Sequence, residues 1–264
     1  MNTRDTKLKS VIGIGNAIVD VLAIVDDGFL TKHNLAKGAM TLVDVEEARD
    51  IYISMGRTVE KSGGSVANTM AGLAALGGTG SYIGKVHADE LGSSFYSDLS
   101  TLGISFETEP TTNGLPTARC LILVTPDGQR TMATYLGACR DLSPEDINPT
   151  SIHNHQVTYL EGYLWDTNQA KQAMLKASQL AHNSNRKVAL SLSDTFCVER
   201  HRKSFQELVE EHVDILFANS DEILSLYEES SIYNAINIAR QSCDILVVTL
   251  GAKGSIITAK DESY

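Results

Sequence analysis

Lys61-Ser-Gly-Gly-Ser-Val-Ala-Asn-Thr-Met-Ala-Gly-Leu-Ala-Ala-Leu76 is the stretch from which the rest of the chain is read. Gly63 and Gly64 free the backbone for a tight turn through dihedrals that other residues avoid. Ser65 is placed to cap a following helix over 65–76, whose Val66, Met70 and Leu73 share one face. Asn68 stands about 200° from Val66 at ~100° per residue, off that apolar stripe. The product is a helix N-terminus with bare amides and an outward amide side chain, a setting suited to hydroxyl-rich or anionic ligands. Taken alone, the same residues also describe a glycine turn, a serine cap and a solvated asparagine.

Outward from this stretch, 264 residues allow one large α/β domain or two small ones. The 42% hydrophobic and 21% charged content is that of a soluble globular protein. A net charge of -11 with no run of Lys or Arg argues against a nucleic-acid or anionic-membrane surface. Any polyanion must then be held by local basic groups, glycine amides or a metal ion. Cys120, Cys139, Cys197 and Cys243 lie far apart without C-x-x-C spacing, which excludes the common zinc and redox motifs and fits reduced thiols. Arg4, Lys7 and Lys9 precede an apolar stretch, but Asn16 and Asp20 interrupt it, so it reads as strands and not as a signal peptide. No run of 18 apolar residues occurs, so no membrane span is expected and the cytoplasm is the expected compartment.

Strands are predicted over 10–15, 21–25, 39–43 and 81–86, with helices over 45–54 (capped by Asp44) and 89–102. Between 104 and 136 the texture changes to short β runs. Pro126-Asp127-Gly128-Gln129 separates 118–125 from 130–136, a hairpin signal. From 157 onward strands and helices alternate: strands near 157–160, 187–192, 214–217, 245–250 and 255–259, helices near 168–182, 201–212, 221–227 and 233–241. That rhythm belongs to a parallel sheet covered by helices on both faces. The stretches 17–43 and 104–136 break it and read as a small sheet appended as a lid. With no repeat and no Pro/Gly/Ser linker, residues 1–264 are expected to form a single domain.

Ligands of open parallel sheets bind beyond the carboxyl ends of the strands. Asn16 and Asp20 follow the first strand, and a carboxylate there can accept two hydroxyl hydrogen bonds from a sugar diol. Asn219-Ser220-Asp221-Glu222 follows the strand near 214–217. It suits either helix capping or a magnesium ion held through water by Glu222. Thr249-Leu250-Gly251-Ala252-Lys253-Gly254 joins two strands. Gly251 and Gly254 offer backbone amides to a phosphate and Thr249 a hydroxyl, although a glycine-rich turn reads the same way and no Walker A pattern is present. Arg130 lies on the hairpin and is read as opposite Arg119, where a lid arginine can fold over a phosphoryl group. Ser193-Asp194 near His201 lacks a G-x-S-x-G elbow, which disfavours a hydrolase.

In this order the clusters resemble the PfkB/ribokinase family of carbohydrate and nucleoside kinases over nearly the whole chain. Gly13-Ile14-Gly15-Asn16 through Asp20 is similar to the family's first strand and substrate aspartate. Gly63-Gly64-Ser65-Val66-Ala67-Asn68 is similar to its N-terminal signature, in which Gly64 and Asn68 contact the sugar. Tyr82-Ile83-Gly84-Lys85-Val86 with Asp89 and Gly92 matches the next strand-helix segment, with His87 where glycine is more usual. Asn219 and Glu222 match its Asn-x-x-Glu motif, tied to magnesium and phosphate, and Thr249, Gly251 and Gly254 match its nucleotide loop. The stretches 130–138 and 191–200 resemble bacterial adenosine-kinase-like members most.

The resemblance implies a ribokinase-like three-layer α/β/α sandwich with a β lid, which also forms a homodimer surface in some members. It implies transfer of the ATP γ-phosphate to a hydroxyl of a sugar or nucleoside, with Mg²⁺. Asn16, Asp20, Gly64 and Asn68 would hold the substrate, while Asn219, Thr249, Gly251 and Gly254 would hold the nucleotide. Glu222 would serve the metal through water, and Arg130 would balance transferred charge. The family's C-terminal Asp-Thr-x-Gly-Ala-Gly-Asp, source of its anion hole and general-base aspartate, does not occur in these residues. The expectation is therefore a truncated chain with impaired turnover, or else a non-catalytic binding protein derived from such a kinase.

Overall fold

The computed structural model of the protein describes residues 9–259 and 262–263, so Arg4 and Lys7 lie outside the described residues. In chain order the strands are β1 (Lys9–Ile14), β2 (Ile18–Ile24), β3 (Met40–Leu42), β4 (Val59–Gly63), β5 (Gly80–Ile83), β6 (Ser105–Phe106), β7 (Ala118–Val124) and β8 (Arg130–Tyr135). They continue with β9 (His155–Glu161), β10 (Lys187–Ser191), β11 (Ile215–Asn219), β12 (Ile245–Thr249), β13 (Ser255–Ala259) and β14 (Glu262–Ser263). The helices are α1 (Asp27–Lys32), α2 (Val45–Ser54), α3 (Ser65–Ala75), α4 (Glu90–Thr101), α5 (Pro149–His153), α6 (Asn168–Asn183), α7 (Thr195–His212), α8 (Ser220–Tyr227) and α9 (Ile232–Ala239).

The main sheet runs β14-β13-β12-β11-β10-β9-β1-β5-β6. From β12 to β6 every pair is parallel, and β13 and β14 close one edge antiparallel. Helical crossovers put α5 to α9 on one face. There Ile12, Ile14, Leu160, Leu190, Leu216 and Leu246 pack against them as one core. In α6 the buried Ala173, Ala177 and Ala181 recur every four residues, a small-residue stripe that lets the helix lie close to the sheet.

On the opposite face α3 and α4 cover β1, β5 and β6, with Val66, Met70, Phe95 and Leu99 buried beside Tyr82. Close approach of α3 depends on glycines in the sheet. A Cβ at Gly13 would lie 2.4 Å from Val66, and one at Gly80 would lie 2.2 Å from Met70. Farther along this face, the row Phe217–Val247–Ile257 is left open, with Phe217 37% and Ile257 39% exposed. Parallel strands that read as unbroken apolar runs are built for burial on both faces, so this row is apolar surface facing solvent.

A second sheet, β3-β8-β7-β2-β4, stands apart from the first. Strands β2, β3, β7 and β8 come from 17–43 and 104–136. Strand β4 comes from outside those stretches, and β6 sits at the edge of the main sheet instead. The strand Val59-Glu-Lys-Ser-Gly carries no apolar alternation. Edge pairing with β2, a bond from Tyr52 Oη to Glu60 (2.8 Å) and one from the Ser62 amide to Asp98 Oδ2 (2.7 Å) hold it in place. Residues 27–32 form α1 because Asp26 caps it, accepting from the Phe29 amide at 2.8 Å. Helix α7 starts at Thr195 behind the Asp194 cap, and His201 (φ -126°, ψ 19°) marks a kink where a helix start was expected.

Candidate active site

The carboxyl ends of β1, β9, β10, β11 and β12 line up along one edge, and the polar residues read from the sequence collect there. Asn16 follows β1, is buried, and donates from Nδ2 to Glu161 Oε1 at 2.7 Å. Glu161 ends β9 and is 1% exposed. Its Oε2 accepts from the Ser65 hydroxyl (2.9 Å) and the Val66 amide (3.4 Å). One buried carboxylate thus ties the β1–β2 connection to the start of α3. Burial raises the Glu161 carboxyl above its usual range, and the bonds from Asn16, Ser65 and Val66 offset only part of that push. The expectation that Ser65 caps α3 is corrected here. Gly64 occupies the cap position without a side-chain bond, and the Ser65 hydroxyl is drawn away by Glu161. Sequence reading passed over Glu161; its signal was an acid ending an apolar strand immediately before a glycine.

Asp20 lies on the lid strand β2, in one row with Lys61, Cys120 and Thr134. Burial lifts its carboxyl to about 6. Gly63 faces it so closely that a Cβ would meet the carboxylate at 2.3 Å. Gly64 has φ +90°, and a Cβ there would lie 2.5 Å from the Asn16 carbonyl. Asn68, one turn into α3, donates its amide to the Gly64 carbonyl (3.0 Å) and is exposed. Asn16, Asp20, Gly64 and Asn68 therefore bracket one corner between lid and main sheet. Beside it opens a cleft of about 210 Å³ lined by Asn16, Leu42, Leu136, Arg140, Tyr163 and Asp166, among others.

At the other end of the edge, Asn219 and Thr249 are register partners on β11 and β12. Gly251 (φ +59°) and Gly254 (φ +94°) form an exposed turn, with open space where each Cβ would stand. Asn219 and Glu222 make a capping box. Glu222 accepts from the Asn219 amide (2.9 Å) and Nδ2 (2.7 Å), while Asn219 Oδ1 accepts from the Glu222 amide (2.8 Å). Burial raises the Glu222 carboxyl; the Asn219 bond opposes this, and Asp194 and Asp221 add to it. An oxygen-only donor such as Glu222 fits magnesium, which keeps most of its waters. Among the described residues no group of three or more His, Cys, Asp or Glu gathers into a metal cluster.

One reading is displaced. Arg130 is not opposite Arg119: it pairs with Val124 at the hairpin tip, whereas Arg119 pairs with Tyr135. Arg130 is exposed and sits four pairs from the Asp20 row, about 13 Å along the strands. The Arg119 guanidinium points to the other lid face, over the rings of Tyr52 (5.5 Å) and Tyr135 (5.9 Å). Ser193, Asp194 and His201 form no triad, because Asp194 caps α7 and His201 Nε2 meets Asp166 at 2.8 Å.

The arrangement has relatives. The crystal structure of adenosine kinase from Sinorhizobium meliloti superposes with a TM-score of 0.89 at 46% identity, covering 98% of this chain and 79% of that one. A probable sugar kinase from Rhizobium etli gives 0.89 at 44% identity, covering 98% and 78%. Guanosine-inosine kinase of Escherichia coli K12 is 27% identical over 260 residues, 95% of this chain and 60% of that protein. The chain thus spans less than two thirds of that relative's length. No helix among the described residues is long and apolar enough to cross a membrane. Residues 33–264 match the family described as pfkB family carbohydrate kinase. With that match across most of its length and this α/β architecture, the chain belongs to the PfkB family of carbohydrate kinases.

Proposed function

We propose that these residues carry the substrate corner and part of the nucleotide surface of an ATP-dependent kinase acting on a hydroxyl of a nucleoside, adenosine-like in preference to a free sugar. The observation that carries it is the corner itself: a lid carboxylate, Asp20, facing a glycine turn at a helix N-terminus, next to an apolar-lined cleft. The names of the relatives, adenosine kinase and guanosine-inosine kinase, favour a nucleoside.

Asp20 accepts two hydroxyl hydrogen bonds from the ribose diol, and Asn16 and Asn68 orient the ring from either side. Gly64 presents backbone without a side chain to the sugar. The cleft at Leu42, Leu136 and Tyr163 takes the base and keeps water out. Thr249, Gly251 and Gly254 receive the phosphates of ATP, with Asn219 beside them. A magnesium ion, held through water by Glu222, would supply charge neutralisation at those phosphates. Arg130 would reach the transferred group only after the lid tip moves toward the main sheet. The proton acceptor is not assigned, since Asp-Thr-x-Gly-Ala-Gly-Asp does not occur among these residues.

The second reading is a nucleoside-binding protein without turnover. Calorimetric titration with adenosine, inosine and ribose, run beside an ADP-release assay, separates the two. Binding with turnover supports the kinase. Binding without turnover, even in a chain extended through Asp-Thr-x-Gly-Ala-Gly-Asp, supports the second reading. No binding of any of the three removes both.

A further inference from the structure

The lid sheet joins the main body through four chain crossings, at 15–17, 64, 107–117 and 136. The first two are tied together by Glu161, which accepts from Asn16 on one side and from Ser65 and Val66 on the other. The other two converge where Thr117 precedes β7 and Gly137 follows β8. The Ala138 amide donates to the Pro116 carbonyl at 2.9 Å, and a Cβ on Gly137 would lie 2.1 Å from that same carbonyl.

Asp89 occupies this second base. It caps α4, accepting from the Gly92 amide at Oδ1 (2.8 Å). Capping asks no more of it, yet it also accepts the Thr117 hydroxyl at Oδ1 (2.6 Å) and the Thr117 amide at Oδ2 (2.9 Å). The Thr117 hydroxyl in turn accepts the His87 amide at 3.0 Å. Thr117 is 1% exposed, so these bonds are shielded from competing water. A Cβ on Gly92 would lie 2.1 Å from the His87 carbonyl and 3.1 Å from Thr117 Oγ1, which presses the helix start against the lid base. From Thr117 the chain enters β7, whose Ala118 pairs with Ile18 and whose Cys120 pairs with Asp20. The clamp and the substrate carboxylate are thus about three residues apart along a continuous ladder.

We propose that Asp89 is a positioning residue for substrate binding: by clamping Thr117 it fixes lid strand β7, and with it Asp20 on the adjacent strand, relative to the main sheet. The proposal rests on the reading of Asp20 as the carboxylate that holds substrate. A purely structural cap would stabilise α4 without favouring the lid. A clamp concentrates its effect on lid amides and on ligand affinity.

The experiment follows native-state amide hydrogen exchange in the lid strands (18–24 and 118–135) and in the main-sheet strands (187–191 and 215–219), beside calorimetric titration with adenosine. Thr117→Val is expected to speed lid exchange about tenfold and weaken adenosine binding by about the same factor, the scale of one hydrogen bond to a charged group. Main-sheet exchange should not change. Thr117→Ser, which keeps the hydroxyl, restores both readouts. Asp89→Asn keeps the capping oxygen toward Gly92 and is expected to reproduce the lid-specific pattern. Ser178→Ala, removing an equally buried hydroxyl that serves only the Met174 carbonyl within α6, should leave the lid unaltered. Unchanged lid exchange, exchange rising equally in both sheets, failure of serine to restore it, or lid exchange rising while adenosine affinity stays constant would each overturn the proposal. If the unaltered chain fails to bind adenosine, the nucleoside-kinase reading falls, and lid-specific exchange still decides whether the clamp exists.

Discussion

A methyl group on Gly63 would lie 2.3 Å from both Cγ and Oδ1 of Asp20. The glycine on β4 is therefore what leaves room for the carboxylate on β2, independently of any turn the backbone makes. Gly63→Ala should push the Asp20 side chain out of its place and weaken adenosine binding as much as Asp20→Ala does. Both losses should fall near 1.5–3 kcal/mol, the range for hydrogen bonds to a charged acceptor. Calorimetric titration with a circular-dichroism check of folding measures this. Wild-type affinity in either variant would remove Asp20 from the site.

The same carboxylate carries a pH signature of two signs. Its folded value of about 6 lies above the ordinary 3.8. Between those values the folded chain holds a proton that the unfolded chain has lost, so the contribution to stability falls as pH rises through the window. Binding moves the other way, because only the ionised carboxylate accepts two hydroxyls. Adenosine affinity should climb as pH rises through about 6 and level off above it. Asp20→Asn should flatten both trends, which titrations and melts at pH 5 and pH 7.5 would reveal.

Glu161 serves three donors from two segments. Glu161→Ala would leave Asn16 Nδ2, the Ser65 hydroxyl and the Val66 amide without that acceptor, at a cost of about 2–5 kcal/mol. Glu161→Gln keeps one acceptor oxygen and should cost less. Denaturant melts rank the two; equal stability of both variants and the parent would mean that water replaces the carboxylate freely.

The expectation of impaired turnover is tested on the 264-residue chain itself. General-base catalysis is typically worth ~10²–10⁴-fold, and anion-hole donors add a comparable factor. ADP release with adenosine should therefore rise by at least ~10²-fold when a chain extended through Asp-Thr-x-Gly-Ala-Gly-Asp is compared with this one. Equal rates would place the proton acceptor among the residues described above.

Much of this was legible in the chain, and the misses have physical causes. Helix α2 was readable because Asp44 and Glu47 form a full capping box beside an amphipathic stretch. Helix α3 and the hairpin at Asp127-Gly128 announced themselves through glycines. Strand β4 was hidden because an edge strand held by side-chain bonds needs no apolar alternation. Asn219 and Thr249 stand side by side because adjacent parallel strands align their ends, which strand order dictates and local pattern does not. Arg130 and Arg119 were read as opposite because hairpin register cannot be counted until the turn is known. Glu161 escaped because its partners, Asn16 and Ser65, lie 145 and 96 residues away.

The open row Phe217–Val247–Ile257 leads to a solution behaviour. Contiguous apolar surface of this kind promotes association. The 264-residue chain should self-associate at micromolar concentration, and Phe217→Ser with Ile257→Ser should shift it toward monomer in sedimentation velocity. An unaltered chain that sediments as a monomer at all concentrations contradicts this.

The position of β1 sets a schedule for biosynthesis. Its neighbours are β5 on one side and β9 on the other, and Lys9 meets His155 across 146 residues of chain. At roughly 5–20 residues per second of synthesis, the 72 residues from the end of β5 at Ile83 to the start of β9 at His155 take roughly 4–15 s, during which β5 is the only partner available to β1. During that interval the lid, α3 and α4 can assemble around β1 and β5, since every strand of that unit precedes residue 136. The α5–α9 layer must then dock onto an already formed edge. A nascent chain arrested near residue 150 should accordingly protect lid peptides from protease while offering β1 as an open edge, the point at which a trigger-type chaperone or a second nascent chain would compete with β9.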